Sequence, residues 1–144
     1  MAEFSWPVRV YYEDTDHGGV VYYANYLKFM ERARTEWLRT RGVEQDVLMG
    51  QEGLIFAVRS AQLDYLKPAR FNQLLSVSAS VMEARKTSLT FEQTVHLITN
   101  EEDDKVESDL LLCRGRIKIV CLDANSLKPR AIPASIRQEV FGDD

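Results

Sequence analysis

The sequence predicts an α+β chain in which a curved antiparallel sheet of about five strands wraps around one long helix. Three observations predict it. A single amphipathic helical pattern of about 18 residues runs from Tyr23 to Arg41. Stretches of alternating apolar and polar residues follow it, broken by short polar connections. One β-rich stretch precedes it. Successive strands joined by short turns pair antiparallel, and a lone helix with an apolar stripe must cover one face of the sheet they form. The 144 residues fit one domain over 1–144. A domain of this size buries about 68–70% of its unfolded surface and needs no disulfide or metal to hold it.

In order, Val8–Tyr12 reads as the first strand. In the helix, Leu27, Met30, Arg34, Trp37, Leu38 and Arg41 fall near one stripe with Ala33 at its margin. Lys28, Arg32, Glu36 and Arg39 lie largely off it, and Arg32–Glu36 has i,i+4 spacing. Gly42 follows as the C′ residue. Met49-Gly50-Gln51-Glu52-Gly53 reads as a loop. Leu54–Leu66 is a strand ended by Lys67-Pro68, and alternation marks further strands over 75–81 and 89–97. Asn100-Glu101-Glu102-Asp103-Asp104 reads as a solvated hairpin tip. Leu110–Leu122 is the last strand, and the tail with Pro129 and Pro133 holds one helical turn.

Composition excludes several classes. Net charge is −4 with no basic stripe, which argues against a nucleic-acid partner. No apolar run reaches about 18 residues, so no integral membrane segment is expected. Residues 1–7 lack the charged-then-apolar order of a signal peptide, which points to the cytoplasm. Cys113 and Cys121 lie in one apolar run; in a continuous strand they stand about 26 Å apart at ~3.3 Å per residue. They cannot pair within that strand and read as two reduced core thiols.

The chemistry concentrates in Glu13-Asp14-Thr15-Asp16-His17-Gly18-Gly19 and the helix that follows. Carboxylates, a flexible backbone and a helix N-terminus meet within about ten residues. That combination can place an acid/base or nucleophile beside backbone N–H groups able to stabilise an oxyanion. Asp14 and Asp16 also suit turn and helix capping. Asp14-x-Asp16 could take Mg²⁺, but no further ligands converge on it in the sequence, so no metal is expected. Gly18 and Gly19 permit positive φ and close backbone approach. His17 neighbours Asp16 and in extended chain points to the opposite face. Tyr12 suits either a pocket hydrogen bond or core packing at the strand end. Glu31 is a second carboxylate candidate beside the helix stripe, and His96 falls on a polar strand face.

Tyr11-Tyr12-Glu13-Asp14-Thr15-Asp16-x-Gly18-Gly19-Val20-Val21-Tyr22, with Ala24-Asn25-Tyr26-Leu27 and Glu31-Arg32-Ala33-Arg34-Thr35-Glu36, resembles the YbgC-type acyl-CoA thioesterases. These belong to the hotdog-fold superfamily, beside the 4-hydroxybenzoyl-CoA thioesterases. Leu63-Asp64-Tyr65-Leu66-Lys67-Pro68-Ala69-Arg70 and Ser88-Leu89-Thr90-Phe91-Glu92-Gln93 are similar to the same family. The resemblance implies hydrolysis of an acyl-CoA, or of an acyl-carrier-protein thioester, without any cofactor beyond the coenzyme A of the substrate. It implies sheets joined edge to edge in a homodimer or homotetramer, with sites at the interface. Asp16 matches the catalytic aspartate, as nucleophile or general base; Tyr12 and Gly19, close to it in sequence, are read as substrate-binding residues. The backbone N–H near Tyr23 matches the donor that polarises the thioester oxygen. Arg85, Lys86 and Ser88 match the segment that contacts the nucleotide, where two cations and a hydroxyl suit phosphates. Many members carry histidine where this chain has Tyr23, a hydrogen-bond donor and a poor general base. A non-catalytic acyl-CoA-binding or interaction module is the remaining alternative.

Overall fold

A computed structural model describes residues 4–98 and 110–141. Along the chain lie β1 (Phe4–Arg9), a 3₁₀ turn (Tyr12–Asp14), α1 (Asn25–Thr40), α2 (Gln45–Glu52), β2 (Leu54–Tyr65), β3 (Leu74–Ala84), β4 (Ser88–Ile98), β5 (Leu110–Asp123) and α3 (Ala134–Phe141). The strands form one five-stranded sheet in the order β1-β3-β4-β5-β2. Every neighbouring pair is antiparallel.

Helix α1 lies against β3 and β1. Its buried side chains are Tyr26, Phe29, Met30, Ala33, Arg34, Trp37 and Leu38. Trp37 meets Phe91 of β4 edge-to-face with centroids 5.3 Å apart. Gly115 of β5 permits the close approach: a Cβ there would stand 3.0 Å from Met30 Sδ. The helix ends in a Schellman motif. Val43 N–H donates to the Leu38 carbonyl at 2.9 Å and Gly42 N–H to Arg39 at 3.0 Å, with Gly42 at φ +80°. One polar network sits beneath the helix. Arg34 Nη1 donates to Gln93 Oε1 at 3.0 Å, and Gln93 Nε2 donates to the carbonyls of Met30 (2.9 Å) and Ser78 (3.1 Å).

Several boundaries differ from the sequence reading. The first strand covers Phe4–Arg9 rather than Val8–Tyr12. It is an edge strand, which accommodates Pro7. Tyr12 belongs instead to the 3₁₀ turn, because Tyr11 N–H donates to Asp14 Oδ2 at 2.8 Å and closes the chain there. Tyr12 is 80% exposed and is not core packing. The loop expected at 49–53 is the end of α2; burial of Leu48 outweighs the modest cost of Gly50, and Gly53 at φ +66° terminates the helix. In α1, Leu27 is exposed, while Tyr26 and Phe29 take the inner face. Glu36 pairs with Arg39 at 3.7 Å rather than with Arg32. Arg41 sits over the Trp37 ring, 5.1 Å from its centroid. His96 is half-buried, with Nδ1 3.3 Å from Thr94 Oγ1. The tail forms eight residues of helix, not one turn. The expected hairpin tip at 100–104 lies outside the described residues.

Candidate active site

The Asp16 segment is a small hairpin set against the entrance of α1. Thr15 and Val21 bridge across it. Gly19 N–H donates to the Asp16 carbonyl at 3.1 Å and Asp16 N–H to the Val20 carbonyl at 2.9 Å. Gly19 at φ +78° supplies the left-handed residue that follows such a tight turn. The Asp16 side chain opens the turn, its Oδ1 accepting the Gly18 N–H at 2.8 Å. Asp16, His17 and Gly19 are all exposed. With Tyr12, Thr15 and Phe71 they line an open cleft of about 660 Å³. Tyr12 and Phe71 form its aromatic wall, edge-to-face at 5.7 Å.

Asp14 has the other duty. It is buried, its carboxylate accepts Tyr11 N–H, and its carbonyl takes two donors, Tyr22 N–H at 3.0 Å and Asn25 Nδ2 at 2.9 Å. The Asn25 bond ties this segment directly to the first residue of α1, and the Tyr22 bond holds the chain just before it. The segment after β2 completes the frame: Val21 N–H donates to the Ala69 carbonyl at 2.8 Å, Ala69 N–H to the Tyr26 hydroxyl at 3.0 Å, and Val20 bridges to Arg70.

Tyr23 stands at the edge of this arrangement. Its ring lies 4.8 Å from Tyr22 and 6.2 Å, edge-on, from Tyr65, and it does not line the cleft. Among the described residues nothing accepts the Tyr23 N–H, as is usual where a helix begins. The carbonyl of Tyr23 accepts the Tyr65 hydroxyl at 3.0 Å. Burial raises the Tyr26 phenol above its ordinary pKa, against the lowering effect of its bond to Ala69. The hydroxyl of Tyr23 beside it raises that of Tyr22.

Arg85, Lys86 and Ser88 are elsewhere. They form the β3–β4 turn, where Arg85 N–H donates to the Ser88 carbonyl at 2.8 Å. The Asp16 hairpin abuts the opposite end of β3, through Arg70 and Gln73. The intervening strand runs roughly 35 Å at about 3.3 Å per residue. So one subunit does not bring these residues to Asp16. Arg85 is exposed and pairs with Glu83 at 2.9 Å, Lys86 is exposed, and Ser88 is buried. The Arg85 guanidinium holds the Glu83 carboxyl below its usual value. Glu31 is exposed and accepts the Thr35 hydroxyl at 3.4 Å, away from the cleft.

Phe71 and Tyr65 were not singled out from the sequence as site residues. Only their neighbourhood carried a signal, in the stretch from Leu63 to Arg70. Among the described residues no three or more His, Cys, Asp or Glu side chains converge as a metal site. No helix there is long and apolar enough to cross a membrane.

A family model described as the thioesterase superfamily matches residues 18–103. The acyl-CoA thioester hydrolase YbgC of Escherichia coli O6:H1 is 46% identical over 136 residues, covering 94% of each chain. The acyl-CoA thioesterase YbgC of Haemophilus influenzae is 41% identical over 134 residues, covering 93% of this chain and 91% of its own. The crystal structure of Slr0204, a 1,4-dihydroxy-2-naphthoyl-CoA thioesterase from Synechocystis, superposes with a TM-score of 0.85 at 22% identity, covering 99% of this chain and 98% of its own. With its five-stranded antiparallel sheet around α1 and these relatives, the chain belongs to the thioesterase superfamily, in the hotdog-fold branch that contains the YbgC proteins.

Proposed function

We propose that this protein hydrolyses an acyl-CoA thioester to a carboxylic acid and free coenzyme A. The observation that carries the proposal is the seating of Asp16: its carboxylate lines an open cleft, on a hairpin bonded straight to the start of α1. The relatives named as acyl-CoA thioesterases support the choice of substrate. Asp16 acts as nucleophile or as general base toward water. In either case a negative charge develops on the thioester oxygen. The Tyr23 N–H, free of a protein acceptor among the described residues, supplies the oxyanion donor. Asp16 keeps an acceptor bond from Gly18 throughout, which fixes its rotamer. The Tyr23 phenol is a hydrogen-bond donor and not the proton shuttle that an imidazole would be.

The site is completed by a second copy of the chain in a homodimer or homotetramer. β2 is a twelve-residue strand at the edge of the sheet whose residues 58–62 are exposed, and among the described residues no strand pairs with its outer side. A twofold partner pairing antiparallel along β2 has its sheet reversed end for end. Its β3–β4 turn then comes toward this subunit's Asp16 hairpin. Of that turn, Lys86 is the cation without an ion pair among the described residues, and Arg85 must give up part of its hold on Glu83 to meet a phosphate.

A panel of aliphatic and aromatic acyl-CoAs, with the same acyl groups on acyl-carrier protein, tests the proposal through kcat/KM. Turnover of at least one acyl-CoA, preferred over its carrier-protein counterpart, is the expected result. Preference for the carrier protein would shift the substrate. Thermal stabilisation by acyl-CoA with no turnover of any member would make the protein a binding module.

A further inference from the structure

We infer that Tyr65 is a positioning residue that holds the oxyanion donor through its hydroxyl; the inference rests on the proposed role of the Tyr23 N–H. Tyr65 is the last residue of β2, and the chain beyond it is pinned where Leu66 and Lys67 N–H both donate to the Leu112 carbonyl, at 2.8 and 3.0 Å. From that fixed point its hydroxyl donates to the Tyr23 carbonyl at 3.0 Å. Its ring packs edge-on to Tyr23 (6.2 Å) and to Tyr26 (5.5 Å), and Tyr26 is itself buried and tied to Ala69.

Residue 23 has few other restraints. It lies two positions before Asn25, the first residue of α1, and Ala24 between them supplies no side-chain cap. Its neighbours are held on both sides, Tyr22 N–H by Asp14 and Asn25 N–H by the Tyr22 carbonyl at 2.8 Å. The second bond polarises the peptide whose N–H is that of Tyr23. The Tyr65 hydroxyl then fixes the plane that follows, so the Tyr23 N–H keeps one direction. An oxyanion donor acts only if it is pre-aimed. Burial and the neighbouring groups raise the Tyr65 phenol above its ordinary value, so it stays a donor throughout the neutral range. Tyr65 does not line the Asp16 cleft, and its bond can be removed without touching the carboxylate.

The test pairs kinetics with a bound carbonyl. Tyr65→Phe keeps the ring and removes the hydroxyl. On the best acyl-CoA of the panel, kcat should fall on the order of tenfold, with KM and thermal midpoint near wild type. Isotope-edited infrared spectroscopy of the ¹³C-carbonyl ketone analogue of that substrate, with CH₂ in place of sulfur, reads the donor directly. Wild type should lower the carbonyl stretch, and Tyr65→Phe should lower it less. Replacement of Tyr65 by 3-fluorotyrosine keeps the bond with a stronger donor and should hold or raise kcat. Wild-type lowering matched in full by Tyr65→Phe, at unchanged kcat, would overturn the positioning role alone. An unshifted carbonyl in the wild type would remove the oxyanion reading beneath it. A fall in kcat for fluorotyrosine equal to that for phenylalanine would also reject the hydroxyl's role.

Discussion

Arg34 is only 6% exposed, and among the described residues its guanidinium donates to the amide oxygen of Gln93. Burial lowers its pKa, partly offset by Glu31. Gln93 is wholly buried and connects this cation to carbonyls of α1 and β3. Gln93→Ala strands all three partners and leaves a cavity. It should destabilise the fold by about 2–4 kcal/mol in urea titrations. Arg34→Met with Gln93→Leu removes both polar side chains together, leaving only the two backbone carbonyls, and should recover part of that loss. The two cysteines show the opposite case. Burial, with Asp64 adding to it, pushes the Cys113 thiol up to about 12, and burial raises Cys121 as well. Both shifts disfavour the thiolate, and at neutral pH the folded protein holds both cysteines as thiols. Iodoacetamide at pH 8 should label neither thiol in the native state and both after unfolding, read by mass spectrometry.

Among the elements, the strands and the long helix were legible in the sequence because alternation and the 3.6-residue period report burial directly. β2 to β5 and α1 follow those patterns. The hairpin of Asp16 was legible in kind, since Asp-x-Gly-Gly is turn chemistry. Its partners were not. Nothing local says that Asp14 will accept from Tyr22 and Asn25, or that Tyr65, 42 residues beyond Tyr23, will bond its carbonyl. The start of β1 was missed because Pro7 argues against a strand unless it lies at an edge, and edges are set by topology. α2 was missed because two glycines within four residues read as a loop, whereas Gly53 is its cap. Two glycines test this level. Gly115→Ala drives a methyl toward Met30 Sδ at 3.0 Å and should cost about 1–3 kcal/mol, less if Met30 rotates away. Gly19→Ala meets no neighbour within 4 Å, so its cost is conformational, about 1–2 kcal/mol from the positive φ, and it should lower kcat by loosening the Asp16 turn.

For the whole molecule, the distance between Asp16 and the Arg85–Lys86 turn decides how the site is assembled. They occupy opposite ends of the sheet in one subunit, so the proposed site draws them from two. Mixed oligomers test this without a ligand-bound structure. Asp16→Asn subunits and Arg85→Glu/Lys86→Glu subunits should each be inactive alone. Co-folded in equal amounts they should regain about a quarter of wild-type activity, since half of random dimers are hybrids and each hybrid carries one intact site. Activity that stays at zero on mixing, with hybrids demonstrated, would place both groups in the same subunit's site, and full activity of the Arg85→Glu/Lys86→Glu subunits alone would make the turn irrelevant.

The central claim is that the Asp16 carboxylate performs the chemistry and does not merely shape its turn. Asp16→Asn separates the two, because the amide oxygen can still accept the Gly18 N–H now held at 2.8 Å while the negative charge is gone. The decisive measurement is single-turnover hydrolysis of the preferred acyl-CoA by Asp16→Asn, with its unfolding curve alongside. A rate about 10²–10⁴-fold below wild type at unchanged stability is the predicted result. Wild-type hydrolysis by a normally folded Asp16→Asn would contradict it.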